Sequence, residues 1–169
     1  MDTLDRISPV LCRLAPKTMR FLIAIHLTLF SSLSLAVVLT DAARETIVKR
    51  AFSNFWGHAV LSNGKPVQPD SEEERKTLPV SNAVANQVLD VGEVSGLAEW
   101  CGLDWRSHYL SLTAAARKAG FREKQVAFIG VLHGMTQGVV AEAMKARPCT
   151  EAKRTEVREM MKNSPNKRF

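Results

Sequence analysis

The chain has 169 residues, of which 46% are hydrophobic and 24% are charged, and its formal net charge is +6. This composition is typical of a globular protein and excludes collagen-like, low-complexity and polar disordered chains. The length suits one domain with an additional terminal segment. The sequence contains no phosphate loop, dinucleotide fingerprint, serine elbow or short metal-ligand spacing. It therefore assigns no cofactor, no metal site and no catalytic residue.

Residues 1–42 resemble a secretory signal peptide. The segment from Phe21 to Leu39 has nineteen residues without a formal charge, and four basic residues precede it. Small residues provide two cleavage patterns, Ser34-x-Ala36 and Thr40-x-Ala42. The apolar run is also long enough to span a bilayer. The prediction is export to the periplasm or beyond, and the alternative is an uncleaved anchor in the inner membrane with the basic flank inside.

Two cysteines follow the signal, Cys101 and Cys149. An even pair of cysteines in an exported chain predicts a disulfide, because the compartment is oxidising. The bridge would close a loop of about fifty residues, and the chain-entropy model assigns such a loop about 4 kcal/mol of stabilisation. The predicted bond therefore matters for the stability of a small domain.

Apolar residues at helical spacing predict an all-α fold, a small bundle of four to five helices pinned by one disulfide. An amphipathic helix over 43–56 is followed by a polar linker over 57–80, in which Ser71-x-x-Glu74 fits a short capped turn. A disulfide-pinned helical domain follows over 81–163, and a basic tail over 164–169. The domain's four helices are predicted at 81–101, 105–119, 122–146 and 150–163. Their capping residues are Ser81, Asp104 and Thr150, their stops include Gly102 and Gly120, and Gly92 and Gly96 are expected to weaken the first of the four.

Basic charge is concentrated at the end of the chain. From residue 43 onward there are 19 basic and 14 acidic residues, and the last twenty-six residues contain 8 and 3 of these. A basic C-terminal segment predicts contact with an anionic surface, with a solvated helix face as the alternative. Aromatic residues do not alternate with these charges, so no nucleic-acid partner is expected.

A stripe of glycines lies on the helix predicted at 122–146. Gly130, Gly134 and Gly138 recur every four residues. Three glycines weaken a helix by about 2–3 kcal/mol relative to alanine, so they indicate a specific need for space. Close packing within the chain is the expected reason, and an interface with a protein partner or a second copy, or a ligand groove, are the alternatives.

Acidic and aromatic residues meet near the first cysteine. Trp100 and Trp105 flank Cys101, and Glu99, Asp104 and His108 lie close by in the sequence. A disulfide corner with Asp104 as a helix cap is the expected arrangement. The sequence therefore predicts an exported binding, accessory or structural protein without enzymatic activity. A small hydrolase that uses Glu99, Asp104 or His108 is one alternative, and a membrane-anchored assembly component is the other.

Overall fold

A computed structural model of the protein describes residues 39–169. These residues contain six helices and no β-strand, which confirms the all-α fold class. The helices are α1 (Asp41–Ser53), α2 (Glu72–Lys76), α3 (Asn82–Trp100), α4 (Trp105–Lys118), α5 (Glu123–Met144) and α6 (Glu151–Asn163). The structure thus has one helix more than the predicted maximum of five, and the additional helix is the short α2. Most of the predicted signal or anchor segment lies outside the described residues.

Polar side chains cap the N-termini of four helices at the positions that the sequence predicts. Ser71, Ser81 and Thr150 accept hydrogen bonds from the backbone of the following turn, and Asp104 accepts from the N–H groups of Arg106 and Ser107. Such caps satisfy backbone donors that have no partner within the helix. Gly102 and Gly120 have φ angles of 67° and 84°, so each adopts the left-handed conformation that ends a helix.

The bundle is organised around α3, which contacts α1, α4, α5 and α6. Its closest approach is to α5. A Cβ atom built on Gly92 would lie 2.7 Å from the Thr136 Cβ, and one on Gly96 would lie 2.6 Å from the Gln137 carbonyl oxygen. Only glycine fits at both positions, so these residues set the distance between the two helices. The expected weakening of α3 is thus accompanied by a close packing contact that the sequence analysis does not predict.

The disulfide between Cys101 and Cys149 is present, as predicted. Cys101 is the C-cap residue of α3 and is buried, and Cys149 directly precedes the cap of α6. The Trp100 indole donates a 2.8 Å hydrogen bond to the Arg147 carbonyl oxygen beside the bridge. The bond therefore ties the end of α3 to the start of α6 and closes the α4–α5 hairpin against α3.

The predicted linker over 57–80 is folded onto the bundle. Val67 and Val80 are buried, and Val67 exchanges backbone hydrogen bonds with Gly57 and Ala59. The described residues, 39–169, belong to one compact unit, which is larger than the domain predicted at 81–163. The difference arises because isolated apolar residues in a polar segment give no periodic signal, although each buries its side chain.

The C-terminal tail is also attached to the bundle. Asn166 is buried and donates to the His108 carbonyl oxygen at 3.2 Å, and Gln87 donates to the Pro165 carbonyl oxygen. The ring of Phe169 lies 5.1 Å from that of Phe121. The basic charges of the tail are thus held on a fixed part of the surface.

The first helix begins at Asp41, two residues before the predicted start, and ends at Ser53 rather than at residue 56. Thr40 caps it, and the backbone N–H of the buried Leu39 donates to Glu93. Glu93 also pairs with Arg44 at 3.3 Å. Residues 39 and 40 therefore belong to the folded unit.

These contacts distinguish the two cleavage patterns. We expect cleavage after Ala36, which leaves a mature chain that begins at Val37, because cleavage after Ala42 would remove both Leu39 and the Thr40 cap. Mass analysis of the mature N-terminus, after expression with the leader in a bacterium, checks this. Ala36→Leu should block processing because the site needs a small residue, whereas Ala42→Leu should not. An N-terminus at Ala43, or retention of residues 21–36, would contradict it.

Candidate binding groove

Helix α5 has an inner face that packs against α3 and an outer face that is partly exposed. The inner face packs His133, Thr136, Gln137 and Val140 against α3. From residue 125 to residue 141 the helix has no formal charge, although part of this stretch is exposed. Exposed helix faces of globular proteins normally have charged residues, so an uncharged one of this length indicates contact with something other than water.

A chain of buried polar groups links α5 to α3 and α4. The Ser95 hydroxyl lies 2.9 Å from His133 Nε2 and 2.8 Å from His108 Nδ1. All three side chains are buried. The approach at Gly92 and Gly96 brings Ser95 within reach of α5, because a longer distance between the helices would separate the hydroxyl from the imidazole.

The hydrogen-bond geometry determines where the protons of Ser95 and the two imidazoles lie. Ser95 has one hydroxyl proton, so it donates to one imidazole and accepts from the other. His108 Nε2 is buried and has no partner among the described residues. A proton there would be an unsatisfied buried donor, so His108 holds its proton on Nδ1 and donates to Ser95. Ser95 then donates to His133 Nε2.

Burial keeps both histidines neutral. The pKa of His108 is lowered from 6.5 to about 4, mainly by burial and to a smaller extent by the positive charge of Lys167. The pKa of His133 is likewise lowered to about 4, mainly by burial and to a smaller extent by the electrostatic effect of His108. A neutral imidazole pair joined by a hydroxyl is a structural contact at neutral pH, because a serine enclosed in the core has no access to a substrate.

A groove runs along the surface between α4 and α5, and we call it the α4–α5 groove. It consists of two adjoining depressions, of about 330 Å³ and about 450 Å³, which meet at Tyr109 and Gly130. The Tyr109 hydroxyl would lie 3.0 Å from a Cβ atom on Gly130, so this tyrosine packs directly on the glycine. The larger depression is lined by Trp105, Arg106, Tyr109, Leu110, Gly130, His133, Gly134 and Gln137.

The three glycines of α5 do not all have the predicted role. Gly130 packs against Tyr109, but a Cβ atom on Gly134 or Gly138 would meet no atom of residues 39–169 within 4 Å. Within residues 39–169, the expected close packing is therefore found at Gly130 and not at these two positions. The close contact is made by Gly92 and Gly96 on the partner helix, which have the same spacing of four residues. An interface or a ligand groove stays a prediction for Gly134 and Gly138.

Large apolar side chains are exposed beside this groove. Leu110 is 62% exposed and lines the larger depression, and Val60 is 58% exposed and lines the smaller one. Val139, next to Gly138, is also exposed but lines neither depression. Single exposed apolar residues are common, whereas two that line one groove favour a binding surface.

The acidic residues considered for hydrolysis do not form one site with His108. Asp104 is exposed, caps α4 and bonds the Ser107 hydroxyl, and these hydrogen bonds lower the pKa of its carboxyl group. His108 faces Ser95 in the core, and Glu99 accepts from Gln137 at 2.7 Å. This arrangement offers no acid and base aimed at a common substrate position.

No metal centre is found in the described residues, where no three candidate ligands come together. His58 lies in the loop after α1, whereas His108 and His133 are joined through Ser95. By length and composition, α5 is the one described helix that could cross a membrane, but 44% of that window is buried within the bundle.

Comparison of the chain with protein-family models, with curated proteins and with solved structures finds no match.

Sequence reasoning missed several residues of this region. Ser95 gave no signal because its role depends on two histidines that are distant in the sequence. Arg106 and Arg117 line the groove, and nothing in their spacing from α5 reveals this. The spacing of Gly92 and Gly96 did contain a signal, since it matches the pattern of the stripe on α5.

The histidine pair predicts that acid destabilises the fold. In the unfolded chain His108 and His133 are protonated near pH 6.5, whereas in the folded chain they are protonated only near pH 4. The stabilisation is therefore complete above pH 6.5 and decreases as the pH falls towards 4. Between pH 7 and pH 5 the free energy of unfolding should fall by about 2 kcal/mol for each histidine. Urea unfolding at pH 7, 6 and 5 measures this change.

His108→Asn is the control, because an amide retains a hydrogen-bonding group but does not titrate. This variant should lose about half of the pH dependence. An unfolding free energy that is equal at pH 7 and pH 5 in the unsubstituted protein would show that the histidines are not held neutral by burial.

Proposed function

We propose that the chain is an exported binding protein, accessory or structural in role, which holds a partner in the α4–α5 groove. The observation that carries the proposal is the free outer face of α5, where Gly134 and Gly138 lie open beside exposed apolar side chains. Glycines in the middle of a helix lower its stability, and here no intrachain contact of the described residues explains two of them. An interface does explain them.

Export is supported by the disulfide and by the start of the folded unit. A bridge between Cys101 and Cys149 suits an oxidising compartment, the periplasm or the outside of the cell. The described part of the folded unit begins at Leu39, the last residue of the apolar run, and this agrees with a mature domain released from a signal peptide by cleavage after Ala36. An uncleaved anchor would make the same domain a membrane-attached assembly component, which the N-terminal mass distinguishes.

The hydrolase alternative has less support. Its three residues are a helix cap, a buried histidine and an amide-bonded carboxylate. General acid–base catalysis needs groups within reach of the same substrate atoms. A noncatalytic role therefore agrees better with the geometry, and the basic C-terminal segment adds a second surface for contact with an anionic partner or polymer.

Site-specific photocrosslinking tests the proposal. A photoreactive phenylalanine at Leu110, inside the groove, should give a crosslinked product in the native compartment, whereas the same residue at Ala152, exposed on α6, should not. Adding Gly134→Leu should abolish the product because the side chain fills the groove. The melting temperature should be maintained, since no described atom opposes a Cβ there.

Equal crosslinking from Leu110 and Ala152 would contradict the proposal. A product from Leu110 that is insensitive to Gly134→Leu would also contradict it, since the groove would then not be the binding site. The melting temperature of each variant, measured by circular dichroism, ensures that the comparison is between folded proteins.

A further inference from the structure

The α4–α5 groove has positive charge at both ends of one wall. Arg106 lines the larger depression and Arg117 lines the smaller one, and both belong to α4. Arg106 stacks on the Trp105 ring at 5.9 Å. In the described part of the chain neither guanidinium forms an ion pair, although the Asp104 carboxylate attracts Arg106 at longer range. Both exposed side chains can therefore contact a bound molecule.

The α5 wall is uncharged along the larger depression, where Gly130 and Gly134 line it, whereas Glu123 lines the smaller depression together with Arg117. Tyr109 covers Gly130, so Gly134 is the glycine of this wall at which a second helix can approach closely. The groove thus combines an α5 wall that is open at Gly134 with an α4 wall that has Arg106 at one end and Arg117 at the other.

We propose that the occupant of this groove is an amphipathic helix of another protein, with a small apolar face against α5 and carboxylates that pair with Arg106 and Arg117. This inference rests on the proposed function. The two arginines are eleven residues apart on α4, about 16 Å along the helix. The matching carboxylates are therefore about three helical turns apart. Insertion of an apolar helix into such a groove is a common mode of recognition.

A second copy of the chain fits the groove less well. A twofold contact places the same patch on both sides, so the two arginines of one copy would lie against those of the other. The expected mature chain, from residue 37 onward, has 19 basic and 15 acidic residues, and its net charge of +4 adds to the repulsion. A small molecule would fill one depression and leave the second arginine unused. Charge complementarity therefore favours an acidic helix.

The test combines the photocrosslinker at Leu110 with charge reversal. Arg106→Glu with Arg117→Glu should lower the crosslinked yield by at least about tenfold, the effect of losing close charge pairs at an interface. The matched control is Lys118→Glu with Arg158→Glu, which makes the same change in net charge at exposed positions that do not line the groove. Its yield should stay within about twofold of the unsubstituted protein.

Mass spectrometry of the crosslinked product identifies what is bound. The inference is supported if the product contains a peptide of another protein with a helical apolar repeat and carboxylates about eleven residues apart. It is overturned by a peptide of this same chain, by a lipid or small molecule, or by a yield that charge reversal leaves unchanged, although each leaves a groove that binds. Absence of any product from the folded protein overturns the proposed function as well.

Discussion

The close approach of α3 and α5 at Gly92 and Gly96 is the constraint on which the rest of the structure depends. A methyl group at either position would overlap with Thr136 or with the backbone at Gln137. Because the helices meet at this distance, Ser95 reaches His133 and the buried hydrogen-bonded chain closes. The disulfide then fixes the end of α3 to the start of α6, beyond the region of closest approach.

This constraint also explains why α5 has a free face. The inner side of α5 packs against α3. On the outer side, Tyr109 of α4 covers the helix only at Gly130. Gly134 and Gly138 lie beyond that contact, beside a groove with exposed apolar residues and two arginines. One helix thus serves the stability of the bundle on one side and, in our account, recognition of a partner on the other.

Features encoded by local chemistry were predictable from the sequence. The caps at Ser81, Asp104 and Thr150 and the stops at Gly102 and Gly120 depend on a few neighbouring residues, and the structure contains all of them. The pairing of the two cysteines followed from their number and from the export that residues 1–42 predict. The all-α fold class followed from apolar periodicity over long segments.

Features that depend on distant residues were not predictable. Two helices have glycines at intervals of four, and only their contacts show that Gly92 and Gly96 are packed while Gly134 is open. Apolar periodicity overlooks glycine, which has no side chain to count. The burial of Ser95 and of His133 depends on mutual hydrogen bonds between separate helices. Similarly, Val67 is buried although it lies in a segment whose composition is mostly polar.

The central claim is that α3 and α5 have glycine stripes with opposite roles, and alanine substitution tests it most directly. Gly96→Ala should lower the free energy of unfolding by about 1–3 kcal/mol, because the methyl group overpacks the contact with α5. Gly134→Ala should raise it by up to about 1 kcal/mol, because the helix gains propensity and meets no opposing atom. Urea unfolding of both variants at pH 7 gives the two values. A Gly96→Ala protein as stable as the unsubstituted one, or a Gly134→Ala protein that is clearly less stable, would contradict the account.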